Sequence, residues 1–273
     1  KEMAINAKDS NILTDVVIVG PALPSDEIME TSLFINDICL NVYPDDSTEY
    51  GKYLRIKQEY FFVSAGLQSI VKKHKEKGFS MLRFNEYHSV HINDTHPSLA
   101  VAELMRILVD EENIPWNTAW EITTKTMAYT NHTIMSEALE KIDMNMMKSV
   151  LPRVFMIIEE ISRRFEEELR YSYGDNFEKR AKMSIFWDNK VRMANLAIVG
   201  SHSVNGVAAL HTDILKNQEL KDFHEHFPGK FNNKTNGITH RRWFLYSNEK
   251  LSSYVSEKIG TDWIMDADKL KAF

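Results

Sequence analysis

Three times in this chain a short apolar run gives way to a polar turn and then to a helical pattern. That recurrence limits the fold more than any other feature. In the first instance Ser89–Ile92 is the apolar run and Asn93-Asp-Thr-His-Pro97 the turn. Leu99, Ala102, Leu104, Met105 and Leu108 then recur at helical spacing over Leu99–Val109. Pro97 suits the first helical turn, and Asp94, Thr95 or His96 can cap the free N–H groups there. In the second, Thr126–Thr130 reads as a strand, Asn131-His-Thr133 as the turn and Thr133–Glu140 as a helix. In the third, Met193–Val199 reads as a buried strand, Gly200–Gly206 as a polar turn with two glycines, and Val207–Leu215 as a helix carrying His211. A fourth polar segment, Phe231–Thr239, leads into His240-Arg-Arg-Trp243 and further helix. This order predicts an α/β fold, a parallel sheet with helices as crossovers.

The remaining segments fit around that frame. Asp15–Gly20 reads as a buried strand, but one closing glycine is not a dinucleotide-binding turn. Pro24–Glu27 suits a helix start, Ile35–Val42 is a short apolar segment, and Tyr43–Gly51 reads as a surface loop. Leu54–Lys77 reads as a helix stopped by Gly78, Trp116–Lys125 as a second, and Lys148–Tyr171 as the longest, ended at Tyr173-Gly-Asp175.

Composition excludes some function classes. A net charge of −6 and interspersed acids argue against a nucleic-acid surface. No apolar run approaches the roughly 20 residues of a membrane span. The single Cys39 permits no internal disulfide and suits a reducing, cytoplasmic setting. The chain begins at Lys1 without a methionine, which fits a piece of a longer protein.

Parallel strands present their carboxyl ends to one edge, where ligands gather. Asp94 and His96, His132, His202 and Asn205, and Asn236 are therefore expected to meet at one crevice. Asn, Asp, His, Ser and Thr dominate these turns, and such groups suit a polyol, whose hydroxyls both donate and accept. A phosphate would call for Arg, Lys or a glycine-rich loop. Helix capping and core packing are the plainer readings of the same residues. Two other functions stay open: a non-catalytic carbohydrate-binding module, or a metal-dependent hydrolase using Asp94, His96, His132, His202 and His211.

The run Leu54-Arg-Ile-Lys-Gln-Glu-Tyr-Phe-Phe-Val-Ser-Ala-Gly-Leu-Gln68 resembles the α-glucan (glycogen, starch and maltodextrin) phosphorylases. So do Ile92-Asn-Asp-Thr-His-Pro97, Ala102-Glu-Leu-Met-Arg-Ile-Leu-Val109, Ala128-Tyr-Thr-Asn-His-Thr133, Ile198-Val-Gly-Ser-His-Ser-Val-Asn-Gly-Val207, Lys234-Thr-Asn-Gly-Ile-Thr239 and Arg241-Arg-Trp243. The likeness covers about residues 43–270 and departs over 1–35. It implies a GT-B type, Rossmann-like glycosyltransferase, with residues 1–239 the later part of an N-terminal domain and 240–273 the first helices of the next. The implied reaction is phosphorolysis of α-1,4-glucan ends to glucose 1-phosphate, with retention, in a homodimeric, allosteric enzyme. The implied cofactor is pyridoxal phosphate, yet the Ser-Glu-Ala-Ser-Gly-Thr-Gly-Asn-Met-Lys type motif of its lysine does not occur here, nor does the early Gly-Asn-Gly-Gly-Leu-Gly loop. These 273 residues alone are expected to be inactive and to bind no cofactor.

By the same resemblance His132 matches the histidine that binds the glucosyl 6-hydroxyl, its carbonyl lying near the anomeric carbon. Asn236 matches another 6-hydroxyl ligand and Val207 a sugar contact. Asp94 and His96 match residues beside the acceptor path, and Glu137 and Glu140 the pocket beyond the glucosyl site. Asp46 and Ser47 fall in a gate loop, where Ser47 replaces the asparagine of animal enzymes. Residues 151–171 match the glycogen-storage helix only loosely.

Overall fold

The computed structural model describes residues 2–8, 13–19, 38–39, 44–135 and 138–273. The chain divides into two compact units, Lys1–Lys234 and Thr235–Phe273.

In the first unit β1 (Glu2–Lys8) and β2 (Leu13–Val19) pair antiparallel. Strand β2 covers the Asp15–Gly20 run but for its closing glycine. The Pro24–Glu27 helix start lies outside the described residues, as does most of Ile35–Val42. Helix α1 (Glu49–Glu76) begins five residues before the sequence reading because Thr48 caps it, its hydroxyl accepting from the Gly51 N–H at 3.0 Å. Gly78, at φ +72°, turns the chain away after it.

The main sheet has four parallel strands: β3 (Val90–Asn93), β4 (Met127–Thr130), β8 (Ser203–Gly206) and β9 (Phe231–Asn233), in that order across the sheet. After β3 come α2 (Ala100–Arg106), a π-helical turn to Glu111, and α3 (Trp116–Thr126). No side chain caps α2, so Asp94, Thr95 and His96 are not its caps; Asp94 Oδ1 accepts from the adjacent Thr95 N–H instead. Asp94 itself lies at φ +67°, in the left-handed region that reverses the chain past the strand.

A three-stranded antiparallel sheet was not legible in the sequence: β5 (Lys141–Asp143), β6 (Phe186–Trp187) and β7 (Lys190–Arg192), with β7 central. The helix read over Thr133–Glu140 does not form among the described residues there. The long helix read from Lys148 is two, α4 (Met144–Val150) and α5 (Pro152–Tyr173), because Pro152 has no N–H to continue the first and opens the second. Helix α6 (Phe177–Met183) follows.

The largest correction is at Met193–Val199. This run is a helix, α7, and all seven of its residues are buried. A continuous apolar run buried on every side carries no period to separate helix from strand. The strand is the polar stretch after it, β8, held between Thr130 of β4 and Asn232 of β9 by its backbone. Helices α8 (Ala209–Ile214) and α9 (Lys221–His226) lead on to β9. Ile92, Tyr129 and Val204 fill the sheet's centre, and Leu104, Ile158 and Leu196 pack in the same core.

The second unit gathers on Trp263, fully buried, whose ring lies 4.9 Å from Phe244 and whose N–H reaches Ser256 Oγ at 3.2 Å. Its helix α10 (Glu249–Ile259) is capped by Asn248. Among the described residues no helix is long and apolar enough to cross a membrane.

Candidate functional site

The carboxyl edge of the parallel sheet is tied together by side chains. The Thr130 hydroxyl on β4 donates to Asn205 Oδ1 on β8 at 2.8 Å, so it accepts from His91 Nε2 on β3, 2.5 Å away. One polar thread thus crosses three strands. It also sets the turn above it: the Asn131 N–H donates to the Asn205 carbonyl, and Asn131 Oδ1 accepts from the Thr133 N–H. The exposed His132 leans back to β3, its Nε2 lying 2.6 Å from Asn93 Oδ1.

Beside this edge lies an open cleft of about 1140 Å³. Asp46 from the loop before α1, Arg55 on α1, Asp94 and His96 past β3, and Glu140 before β5 all line it. Arg55 donates from Nε to Glu140 Oε1 at 2.7 Å and lies 3.2 Å from Glu59 Oε1. Both oxygens of Glu59, and Oε2 of Glu140, are buried without a hydrogen-bond partner among the described residues. Burial, and then the charge of Glu140, push the Glu59 carboxyl well above the usual range. The buried Glu59 and the half-buried Glu140 thus face one guanidinium, an arrangement that favours the protonated form of Glu59.

Of the residues expected here, Asp46, Asp94, His96 and Glu140 come together in this cleft. His132, Ser47 and Val207 are not among its lining residues. Ser47 is exposed on the loop before α1, its N–H donating to Asp45 Oδ1 at 3.0 Å. Val207 follows β8, its N–H bonded to His211 Nδ1 at 3.0 Å. Gly206 is needed beside it, since a Cβ there would meet Thr212 Oγ1 at 2.5 Å. Glu137 lies outside the described residues, and Asn236 belongs to the second unit.

His202 departs from its expected place. It precedes β8 rather than following a strand, and its N–H donates to the Met127 carbonyl at the start of β4. It therefore sits at the amino edge of the sheet. The five groups weighed as metal ligands do not assemble: among the described residues no three such side chains are placed to hold an ion.

Sequence reasoning missed Arg55 and Glu59, and it gave Asn93 of the polar turn no role. A signal for Glu59 was available, since an acid at the position between Ile56 and Val63 stands on the apolar stripe of α1.

A family model described as carbohydrate phosphorylase matches residues 25–273. The chain is 52% identical over 229 residues to glycogen phosphorylase of Bacillus subtilis (strain 168), covering 84% of this chain and 29% of that one. It is 46% identical over 243 residues to alpha-glucan phosphorylase 2, cytosolic, of Arabidopsis thaliana, covering 85% and 29%. It is 45% identical over 241 residues to the muscle form of glycogen phosphorylase from Ovis aries, covering 84% and 29%. The chain spans less than a third of the length of these relatives. With the family model matching nine-tenths of its length, this α/β chain belongs to the carbohydrate phosphorylase family.

Proposed function

We propose that this chain supplies part of the sugar-binding face of an α-glucan phosphorylase of GT-B type, which releases glucose 1-phosphate from α-1,4-glucan ends with retention. The family match carries the reading, and the polar carboxyl edge supports it. Residues 1–239 belong to the enzyme's N-terminal domain and 240–273 open the next, a reading supported by the change of unit after Lys234.

His132 is the residue we assign closest to the reacting sugar. With Nε2 directed at Asn93 Oδ1, Nδ1 is the ring nitrogen left for a sugar hydroxyl. A backbone carbonyl beside an anomeric carbon suits the positive charge that develops there in glycosyl transfer. Val207 and Asn236 add sugar contacts, Asp94 and His96 border the acceptor path, Glu137 and Glu140 the pocket beyond, and Asp46 and Ser47 the gate.

Pyridoxal phosphate, which the family implies, does not fit the residues present. The lysines of the cleft, Lys52, Lys141 and Lys190, are exposed surface groups. The lysine and phosphate site are assigned to sequence outside these residues, and no step is derived through the cofactor. The 273 residues by themselves are inactive on this reading; homodimerisation, effector control and a cytoplasmic setting belong to the whole enzyme. The test is glucose 1-phosphate release from maltoheptaose by the full-length protein carrying His132→Ala. Loss of most turnover is expected; unchanged turnover removes His132 from the site.

A further inference from the structure

The amino edge of the sheet, where His202 lies, opens onto a second cleft of about 570 Å³. The glucan reading makes no use of it. Trp116 and Trp120, one turn apart on α3, line it, with Arg164 of α5, Phe227 and Lys230 from the turn before β9, and Ser201.

Two ring faces in this cleft already carry cations. The Arg164 guanidinium lies 5.2 Å from the Trp116 ring, and Lys230 Nζ lies 3.8 Å from the Phe227 ring. Arg164 is held by Glu160 and Asn117. Lys230 donates only to the Ile198 and Val199 carbonyls, at 3.0 and 3.2 Å, and no carboxylate pairs with it among the described residues. Burial draws its ammonium down to about 8, which still leaves a cation at neutral pH. Of the two acids that line the cleft, Glu167 pairs with Arg163, and Glu168 lies 2.8 Å from His226 Nε2 while its charge also acts on Lys230. Ser201 is fully buried, and its hydroxyl has no partner among the described residues. A buried hydroxyl left without a bond is destabilising unless something completes it.

A cation already stands over one face of the Trp116 ring and one face of the Phe227 ring. An anion would meet an ammonium whose hydrogen bonds go only to carbonyls and a hydroxyl without a partner among the described residues. We propose that this cleft binds a small flat aromatic molecule bearing one carboxylate or phosphate, with the anionic group against Lys230 and Ser201 and the ring against Trp120. The volume is in the range of small-molecule pockets, and aromatic walls with a few converging polar groups are what such pockets present.

Calorimetry on the full-length protein tests this with 2-naphthoate, 2-naphthyl phosphate and neutral 2-naphthamide. At least one acid is expected to bind one site per chain, and the stronger of the two identifies the anionic group. The amide should bind roughly tenfold more weakly or not at all, the size of one charge-assisted contact. Ser201→Ala should weaken the acid while leaving thermal stability equal or higher, which a purely structural hydroxyl would not do. Lys230→Met should abolish binding; should that variant fail to fold, Arg164→Gln, at an exposed position, is expected to weaken it. No binding by either acid, equal binding of the amide, or affinity unchanged in Ser201→Ala and Arg164→Gln overturns the proposal.

Discussion

Arg55 and Glu140 stand 85 residues apart in sequence, and the Nε of one donates to the Oε1 of the other at 2.7 Å. The bond ties the first turns of α1 to the approach to β5 across the wall of the larger cleft. It leaves Glu59, one turn along α1 from Arg55, as the second acid on a single guanidinium.

That imbalance makes stability depend on pH. Glu59 titrates well above its unfolded value, chiefly through burial and then through the Glu140 charge. Its favourable term is therefore complete below the ordinary carboxylate range and declines as pH rises toward the folded value. One retained proton contributes a slope of up to about 1.4 kcal/mol per pH unit in that window. Glu59→Gln, which needs no proton, should flatten it. Urea midpoints at pH 5 and pH 8 for both proteins check this; equal slopes would show that Glu59 titrates normally.

Glu103 on α2 is fully buried and accepts from Tyr60 OH at 2.9 Å, Ser64 Oγ at 2.7 Å and Arg106 Nε at 2.7 Å. Burial and this carboxylate push the Tyr60 phenol up to about 12. The acid thus serves the fold, locking α1 to α2. Glu103→Ala should destabilise by about 3–5 kcal/mol, the range for breaking a buried ion pair. A denaturation midpoint close to wild type would contradict the network.

Gly206 ends β8 where a methyl group would press on Thr212 Oγ1 and on His211 Nδ1, 2.9 Å away. Gly206→Ala should cost about 1–3 kcal/mol by overpacking and shift the His211 bond to the Val207 N–H. Thermal melting gives the first effect and the His211 imidazole NMR signals the second. Neither changing would mean that the turn yields freely.

Asn93 holds His132 while both side chains stay at the surface edge. On the proposed function, Asn93→Ala in the full-length enzyme should lower kcat/KM roughly tenfold or more through loss of alignment, with Tm nearly unchanged. Unaltered kinetics would detach the Asn93 contact from the reaction.

The sequence by itself determined the α/β class, helix α3, strands β3 and β4 and the polar character of the turns beyond them. These rest on local periodicity and on Pro, Gly and Thr chemistry, which act within a few residues. The motif runs also pointed to the phosphorylase family, which the comparisons established. Tertiary structure decided the rest. Met193–Val199 became a helix and Ser203–Gly206 the strand because backbone pairing to β4 and β9, not hydropathy, selects the register. That choice carried His202 to the opposite edge. Glu59 could be noticed on its stripe, but its partners, one turn away and 81 residues away, come within reach only after the chain has folded, because contact between distant residues is set by packing rather than by spacing.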